Sequence, residues 1–244
     1  MSLENKFKDA VCNICGERGN FVISDLDPRL DENTQLRENI LCQSCGSSSR
    51  DRMLIYGFQE VLGTSQSLSK MQPDKKFRVL ETSGVRGHPK YLENLYDYYN
   101  VWYEPELMKN GSYDVKKYAD LQNLSFQDEY FDVILSSDVF EHIRLYKQAF
   151  LEVFRVLKPQ GLLILQIPFL GLEKRDLELV EVIGDRDVFL ATPQYHASNT
   201  LVYRIYGGLD LIPSLWNVGF YVRFIETEIP EYAISWQSMA LCYK

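Results

Sequence analysis

Long apolar runs, basic charge and histidine are all scarce in this sequence of 244 residues. No apolar stretch is long enough to cross a bilayer, and the opening MSLENKFKDA lacks the apolar core of a signal peptide. We therefore expect no membrane partner and a cytoplasmic location. Acidic residues outnumber basic ones by 34 to 26, and the resulting net charge of −8 argues against a nucleic-acid partner, whose phosphates Lys and Arg would have to bind.

Cysteine is also scarce, but four of its five copies fall before residue 46. Cys12 and Cys15 form one C-x-x-C-G knuckle, and Cys42 and Cys45 form another. Four thiolates in a closed tetrahedral shell suit a structural Zn²⁺, so we predict a small N-terminal zinc ribbon. Iron is a rival because the knuckles also resemble those of rubredoxin, and we favour zinc because the segment is an appendage to a larger domain. Cys242 lies in an apolar, strand-like stretch and is predicted to be a core residue.

The sequence pattern divides the chain into three parts. Residues 1–48 are turn-rich and hold the predicted ribbon, while residues 49–76 combine a helix, capped by Ser49 and ended by Gly63, with a polar linker. In residues 77–244, runs typical of strands alternate with runs typical of helices, which predicts an α/β fold with a mostly parallel sheet. The predicted strands are Phe77–Leu80, Asn100–Tyr103, Phe131–Ser136 and Leu162–Ile167, and the predicted helices lie near Lys90–Tyr98 and Leu145–Leu157.

The end of the chain departs from this alternation. Two strand-like runs, Tyr221–Thr227 and Ser238–Tyr243, have no helix between them. We therefore expect them to pair as an antiparallel hairpin at the C-terminal side of the sheet.

An acidic residue ends the first predicted strand of the main domain. Glu81 follows Val79 and Leu80, and no G-x-G-x-x-G fingerprint follows it. A dinucleotide would place its pyrophosphate here, where a carboxylate repels it, whereas S-adenosylmethionine brings a cationic ammonium and sulfonium. Glu104 and Pro105 follow the second strand, where an acid can accept both ribose hydroxyls. The two acids together favour the methyl donor over NAD or FAD.

At these positions the chain resembles the class I S-adenosylmethionine-dependent methyltransferases, which implies a Rossmann-like methyltransferase sheet. The resemblance runs from about Phe77 to the C-terminus and is carried by four segments in order: VLETSGVRG at 79–87, DLQNLSF at 120–126, FDVILSSDVFEH at 131–142 and FRVLKPQG at 154–161. More narrowly, the knuckles, Ser49-Arg50-Asp51-Arg52 and Arg204-Ile205-Tyr206-Gly207 resemble bacterial methyltransferases of type 11 that carry an N-terminal zinc ribbon.

The resemblance implies a cofactor site at the strand tips, in which Glu104 meets the ribose and Asp120 the adenine amino group. Ser83 and Val85 stand where the family usually has glycine, so we expect a less close approach to the cofactor or another path through the remaining glycines. Gln160 replaces a further glycine, a change we expect to be harmless. The predicted cofactor residues are Glu81, Thr82, Ser83, Gly84, Gly87, Glu104, Pro105, Asp120, Leu121 and Ser137.

Each acid also has an ordinary structural interpretation. Glu81 could cap the following helix, Glu104 could be a solvated surface charge, and Asp120 could be a turn residue, as Asp often is. Each interpretation holds as well as the cofactor role when one acid is considered alone. The three acids in this order make the cofactor site the better explanation.

The predicted reaction is methyl transfer to a small polar acceptor. His142 follows the fourth strand, and His196 lies in the insert 169–203, which we expect to cover the acceptor. Either could be the general base, or a packed histidine that makes one hydrogen bond. The insert combines aromatic residues with charges of both signs, which suits a polar acceptor and makes a sugar-containing one an option.

Two other functions fit the same sequence. The departures at Ser83 and Val85 are also compatible with a catalytically weak, cofactor-binding module that docks a protein partner through its ribbon. A protein methyltransferase is the other alternative, because the acidic balance does not weigh against a protein acceptor.

Overall fold

The computed structural model describes residues 6–24, 32–109, 111–196 and 199–244, with the side chains of 32–34 excepted. The helices of this part are, in chain order, α1 (Glu32–Asn39), α2 (Ser49–Leu62), α3 (Pro89–Leu95), α4 (Pro105–Met108), α5 (Tyr146–Val156) and α6 (Gly208–Val218). The strands are β1 (Phe21–Ile23), β2 (Ile40–Cys42), β3 (Arg78–Thr82), β4 (Asp97–Val101), β5 (Phe131–Ser137), β6 (Leu157–Gln166), β7 (Leu177–Glu178), β8 (Val180–Ile183), β9 (Arg186–Phe189), β10 (Tyr195–His196), β11 (Thr200–Leu201), β12 (Arg204–Ile205), β13 (Tyr221–Ile229) and β14 (Ile234–Tyr243). None of the helices described here has the length and apolar character that crossing a bilayer requires.

Six strands form the central sheet, in the order β13-β14-β6-β5-β3-β4. β5 runs parallel to β6, with Leu135 opposite Ile164, and β14 runs antiparallel to β6, with Leu241 opposite the same residue. These residues are fully buried because the central strands are covered on both faces. The mixed sheet confirms the predicted Rossmann-like architecture with antiparallel strands at its C-terminal side.

The second strand of the sheet begins earlier than the sequence predicted. We expected a helix to Tyr98 and a strand over Asn100–Tyr103, but α3 ends at Leu95 and β4 covers Asp97–Val101. Residues 91–100 are rich in tyrosine and have apolar residues at helical spacing, yet aromatic residues fit a pleated sheet better than a helix. The chain therefore enters the strand directly after α3.

The chain forms two compact units by its internal contacts. Unit 1 comprises Met1–Val79, Gly84–Tyr98 and Phe224–Met239, and unit 2 comprises Leu80–Ser83, Tyr99–Arg223 and Ala240–Lys244. The boundaries expected at residues 48 and 76 remain a prediction.

Unit 2 is built on β5 and β6 and on α5. The helix buries Ala149, Phe150 and Val153, as the helical spacing predicted. The insert at 169–203 contains two short antiparallel pairs, β8 with β9 and β10 with β11, and its β7 pairs with β12, which follows the insert. Cys242, on β14, is fully buried and confirms its prediction as a core residue.

Unit 1 contains the antiparallel pair of β1 and β2 and the helix α2. The N-cap of α2 is Ser48 and not the predicted Ser49, because the Ser48 hydroxyl and the Asp51 carboxylate form a reciprocal capping box. Gly63 ends the helix in a left-handed conformation, as predicted. The Ser49 hydroxyl instead accepts a hydrogen bond of 2.8 Å from the backbone N–H of Ser235.

Candidate functional site

The four N-terminal cysteines converge on one point in unit 1. The sulfurs of Cys12 and Cys45 are 3.7 Å apart and those of Cys15 and Cys42 are 3.6 Å apart, and all four lie within 4.8 Å of one another. Four sulfurs at about 2.3 Å from a tetrahedral Zn²⁺ would be separated by roughly 3.8 Å. The cluster therefore has the dimensions of a four-thiolate metal shell, which agrees with the predicted ribbon.

Each knuckle closes on a glycine in the left-handed region. Gly16 donates its N–H to the Cys12 carbonyl and Gly46 to the Cys42 carbonyl, both at 2.8 Å, and their φ angles are +84° and +76°. A side chain at either position would strain the backbone, which explains why glycine follows each C-x-x-C. Hydrogen bonds from Cys42 and then Cys45 lower the pKa of Cys12, so the cluster favours a thiolate at that position.

A buried arginine supports the ribbon. Arg52 is fully buried, and its guanidinium donates to the backbone oxygens of Ser47, Ile40, Tyr232 and Ala233 at 2.6 to 3.0 Å. These acceptors satisfy a cation that would otherwise be costly to bury. Arg52 lies in one of the segments that resemble the family, and nothing in the run SSSRDR indicates that its second arginine is the buried one.

Gly87, a predicted cofactor residue, lies against the second knuckle. A Cβ at Gly87 would be 2.9 Å from the Cys45 carbonyl oxygen and 3.2 Å from the Ser47 Cβ, and its φ is +45°. The approach of this loop to the ribbon alone therefore requires a glycine. Gly84 belongs to the same unit, and the cofactor roles of both glycines remain predictions.

The ends of β3 and β5 carry polar side chains next to each other in unit 2. Thr82 donates its hydroxyl to the Ser136 hydroxyl at 2.9 Å in a buried setting. Glu81, which precedes Thr82, has 2% of its surface exposed. The Ser137 hydroxyl is buried and has no hydrogen-bond partner among the residues that the structure describes. A polar ligand at this edge would satisfy that hydroxyl, so the side chains fit a cofactor such as S-adenosylmethionine.

Ser83 follows β3 in a left-handed conformation, with φ of +61°. Its N–H donates to the Val101 carbonyl at 2.9 Å, at the end of β4. A residue other than glycine pays about 1–2 kcal/mol for such a conformation. The backbone thus has the conformation that suits the family's usual glycine, and serine at this position is less favourable by that free energy. Gln160 has φ of +66°, so this replacement, which we expected to be harmless, also carries a backbone cost.

The acid predicted at the ribose lies on an exposed segment. Glu104 is exposed and directly precedes α4, which begins at Pro105. Trp102 forms a parallel bridge with Tyr118. This bridge places the segment before Glu104 beside the segment before Asp120, so the two predicted acids follow adjacent stretches of chain.

Asp120 serves its own turn with one carboxylate oxygen. Its Oδ1 accepts hydrogen bonds from the backbone N–H of Gln122 at 2.8 Å and from the Gln122 side-chain amide at 3.1 Å. Burial, assisted by the charge of Asp120, raises the pKa of Tyr103, and Leu121 is buried beside the turn. The structural interpretation of Asp120 is therefore correct, and its role at the adenine remains a prediction.

The two candidate catalytic histidines contact each other. His196 Nδ1 lies 3.2 Å from His142 Nε2, and the rings are 4.9 Å apart at 85°. His142 Nδ1 contacts the Leu201 carbonyl oxygen at 2.8 Å. Burial lowers the pKa of His142, which favours its neutral form. Glu141 Oε1 lies 3.6 Å from His142 Nε2 and 3.7 Å from His196 Nδ1. In the sequence, the only signal for Glu141 is its position next to His142.

Polar contacts hold the insert against the residues that follow β5, among them Glu141 and Arg144. Tyr203 donates its hydroxyl to Asp187 Oδ2 at 2.8 Å, and Arg144 donates to Asp187 Oδ1 at 2.7 Å. Burial, with the bond to Asp187, raises the pKa of Tyr203 to about 12. The Tyr203 N–H donates to the Glu141 carbonyl at 2.8 Å. The insert thus positions the segment that carries both Glu141 and His142.

A cavity of about 410 Å³ lies elsewhere in unit 2 and is lined by Arg204, Asp176 and Glu178 among others. Arg204 donates to Glu178 at 3.0 Å and lies 3.6 Å from Asp176, and its guanidinium is 3.9 Å from the Tyr146 ring centroid. None of the predicted cofactor residues lines this cavity. We assign the chemistry to the strand tips because the buried acid and the unpartnered hydroxyl lie there, and we assign Arg204 to holding β7 and β12 together.

Residues 83–165 match the model of a family described as "Methyltransferase domain". The matched segment begins directly after β3 and ends within β6, so it contains β4, β5 and α5. It covers about a third of the chain. None of the curated proteins matches the chain.

Among solved structures, the chain is similar to three methyltransferases at low identity. The CurJ carbon methyltransferase is 17% identical over 81% of this chain and 55% of that chain, with a TM-score of 0.47. An S-adenosylmethionine-dependent methyltransferase from Mesorhizobium loti is 15% identical over 72% of this chain and 95% of that chain, with a TM-score of 0.46. The 1,6-didemethyltoxoflavin-N1-methyltransferase of Burkholderia thailandensis, with bound 1,6-didemethyltoxoflavin and S-adenosylhomocysteine, is 16% identical over 79% of this chain and 77% of that chain, with a TM-score of 0.47. The chain thus spans about half the length of the first of them.

Proposed function

We propose that this chain is a class I S-adenosylmethionine-dependent methyltransferase and that it transfers the methyl group of S-adenosylmethionine to a small polar acceptor. The observation that carries the proposal is the polar edge of unit 2. The buried carboxylate of Glu81 and the buried hydroxyl of Ser137 stand at the ends of β3 and β5, and His142 follows β5 within a few residues. Ligands bind at the carboxyl ends of the strands in sheets of this kind.

The cofactor would be held by the predicted residues in distinct roles. Glu81 attracts the cationic methionine end, because a carboxylate in a buried setting interacts strongly with a nearby positive charge. Glu104 accepts the ribose hydroxyls, and Asp120 with Leu121 meets the adenine. Ser137 offers a hydroxyl at the same edge. The remaining predicted residues, which supply backbone groups or a tight loop, are Thr82, Ser83, Gly84, Gly87 and Pro105.

The transfer is an in-line displacement at the methyl carbon. The bond from carbon to the sulfonium breaks as the bond to the acceptor forms, and the sulfur leaves as a neutral thioether. A hydroxyl acceptor must also lose its proton, and His142 and His196 are the nearby groups able to take it. The His142 ring is oriented by the Leu201 carbonyl at Nδ1, so the lone pair is on Nε2, which faces His196 Nδ1 at 3.2 Å.

The acceptor is proposed to be polar and to be covered by the insert. Its Tyr195 side chain is about half exposed, and its Asp187 forms an ion pair with Arg144, which lies outside the insert. An aromatic face next to hydrogen-bonding groups suits a sugar-containing acceptor, which is the finer form of this proposal.

The ribbon is proposed to hold a structural Zn²⁺, with iron as the rival. Cys12, Cys15, Cys42 and Cys45 have the separations that a tetrahedral thiolate shell needs. An ion there would supply stability and no chemistry, because four protein ligands leave no open position. Metal analysis of the purified protein, with one zinc and no iron per chain as the expected result, distinguishes the two.

The test of the transfer uses S-adenosylmethionine labelled at the methyl group and a deproteinised extract of small molecules. We expect label to appear in a polar small molecule with the wild-type protein and much less of it with Glu81→Gln. Label found only in protein, when a protein extract is supplied, would support a protein acceptor instead. Absence of label in both extracts would contradict the proposed activity.

One observation favours a second candidate function. The backbone cost at Ser83 lowers the expected affinity for the cofactor, as in a catalytically weak module that binds cofactor and docks a protein partner through its ribbon. Glu81→Gln with unchanged biological activity would favour this alternative, whereas loss of that activity would favour methyl transfer.

A further inference from the structure

Glu141, His142 and His196 each place one potential ligand atom within 4.8 Å of the others. Glu141 Oε1 lies 3.6 Å from His142 Nε2 and 3.7 Å from His196 Nδ1, and the two imidazole nitrogens are 3.2 Å apart. Protein nitrogen and oxygen ligands lie about 2.0–2.2 Å from a divalent transition metal, so in a tetrahedral arrangement they are separated by roughly 3.4 Å. The three observed separations surround this value.

The second nitrogen of His142 has the contact expected for a metal ligand. His142 Nδ1 meets the Leu201 carbonyl oxygen at 2.8 Å. A carbonyl only accepts, so Nδ1 carries the hydrogen and Nε2 presents its lone pair to the cluster. Metal-binding histidines generally donate their other N–H in this way, which sets the tautomer and the ring orientation.

The insert positions the other two ligands. The Glu141 carbonyl accepts a hydrogen bond from the Tyr203 N–H at 2.8 Å, and the neighbouring Phe140 carbonyl accepts one from the Tyr206 hydroxyl at 3.0 Å. His196 lies in β10, which pairs with β11 so that His196 is opposite Thr200. The ligands therefore stand on short strands and a turn that are hydrogen-bonded to one another.

The cluster has one closed side and one open side. The Glu141 side chain is completely buried, whereas the His196 side chain is 48% exposed. Three protein ligands with an open side are typical of sites where a metal also binds water or substrate. A purely structural site would close its shell with a fourth protein ligand.

We propose that Glu141, His142 and His196 form a binding site for a divalent transition metal, separate from the cysteine ribbon. Two imidazoles with one carboxylate suit zinc, iron(II), cobalt(II) or nickel(II) and suit calcium or magnesium poorly. The site itself does not depend on the proposed methyl transfer, but its role does. An ion here binds the acceptor oxygen and lowers the pKa of the acceptor hydroxyl, so that the proton leaves to solvent and the histidines act through the ion.

The test uses full-length protein that holds one Zn²⁺ per chain, so that the ribbon is filled and the second site is empty, and titrates it with Co²⁺. We expect one further Co²⁺ per chain by calorimetry, with visible absorption bands of nitrogen and oxygen ligation and no sulfur charge-transfer band. His196→Ala removes a half-exposed ligand, so it should fold normally and bind Co²⁺ at least tenfold more weakly. Tyr195→Phe, on the same strand, is the matched control and should bind as the wild type does.

A second variant addresses the buried ligand. Glu141→Gln keeps the size of the side chain but removes its charge, and circular dichroism melting shows whether the variant folds. Folded Glu141→Gln should also bind Co²⁺ at least tenfold more weakly. Two results overturn the proposal: no binding of Co²⁺ beyond the ribbon, or equal Co²⁺ affinity of His196→Ala and the wild type. Either result would leave His142 and His196 as a hydrogen-bonded pair that shares a proton.

The outcome is separable from that of the proposed function. Co²⁺ is titrated without S-adenosylmethionine, so the metal site is confirmed or contradicted whether or not the cofactor binds. If Co²⁺ binds but methyl transfer fails in every extract, the site stands and its role in acceptor activation is wrong.

Discussion

Two side-chain clusters in this molecule have metal-binding dimensions, and they differ in how closed and how local they are. The cysteine cluster takes its ligands from two short knuckles and encloses its centre with four sulfurs. The cluster of Glu141, His142 and His196 joins a turn after β5 to a distant insert, and one of its imidazoles is about half exposed. A closed shell suits stability, and an open one suits a reaction. We therefore expect the cysteine ribbon to stabilise the fold and the histidine cluster to act on the acceptor.

Removal of the ribbon metal should have the largest effect. Structural zinc contributes on the order of 10 kcal/mol in small ribbons, and a small apolar cluster around Phe7, Leu36 and Ile40 adds to it. We expect Cys12→Ser, or dialysis against a strong chelator, to lower the melting temperature by about 10 °C or more and to abolish bound zinc. Cys242→Ala, the matched control, should keep one zinc per chain.

The same metal-free protein distinguishes two roles of the ribbon. Because Gly87 packs against Cys45, loss of metal should also weaken S-adenosylmethionine binding, measured by calorimetry at a temperature where the protein is folded. Unchanged cofactor affinity would instead assign the ribbon to contact with a partner or acceptor.

Truncation of the buried arginine should have the next largest effect. Arg52→Ala removes the side-chain donor of four backbone carbonyls, and we expect a loss of about 3–5 kcal/mol in the free energy of unfolding. Denaturant unfolding measures it. Arg18→Ala, at an exposed position in the same ribbon, should change the free energy by less than about 0.5 kcal/mol. Equal effects of the two substitutions would show that Arg52 does not support the ribbon.

His196→Ala tests the cluster of Glu141, His142 and His196 and should have a smaller effect on stability than Arg52→Ala. We expect methyl transfer to fall by roughly 100-fold, the lower range for loss of acceptor activation, with little change in melting temperature. S-Adenosylmethionine affinity should stay within about twofold, since the residue acts on the acceptor. Unimpaired transfer would remove the histidines from the mechanism, and a lowered melting temperature would make them structural.

The smallest effect is expected at the loop after β3. Ser83→Gly relieves the left-handed backbone at the cost of a more flexible unfolded chain, so the stability should rise by about 0.5 kcal/mol. We also expect tighter cofactor binding. Gln160→Gly has the same backbone benefit at φ of +66° and should raise stability alone. An equal change of cofactor affinity in both variants would contradict the role of the Ser83 loop.

The cysteine cluster could be predicted from the sequence, because its ligands lie in two short C-x-x-C motifs. Each C-x-x-C-G specifies its own turn, and Gly16 and Gly46 have the left-handed conformation that this turn needs. The alternation of strands and helices could likewise be predicted, because hydrophobic periodicity is a local signal. Even so, β4 began earlier than predicted, because aromatic residues at helical spacing do not by themselves distinguish a helix from a strand.

The cluster of Glu141, His142 and His196 could not be predicted as one site, because its geometry depends on where the insert lies. His142 and His196 were each selected from the sequence, but only the fold brings their nitrogens to 3.2 Å. Glu141 and Arg52 were missed because burial decides their roles, and burial of a single charged residue leaves no local pattern. Asp120 shows that a motif position can also serve an ordinary structural purpose, because it accepts a hydrogen bond within its own turn, while its role at the adenine remains a prediction.

The most direct test of the account is equilibrium binding of S-adenosylmethionine to the zinc-loaded chain by calorimetry. Wild type and Glu181→Gln, a control at an exposed acid of the insert, should bind with equal affinity. Glu81→Gln should bind at least tenfold more weakly while keeping its melting temperature. Absence of binding to the wild type at millimolar cofactor, or equal binding by Glu81→Gln, would contradict the cofactor site at the end of β3.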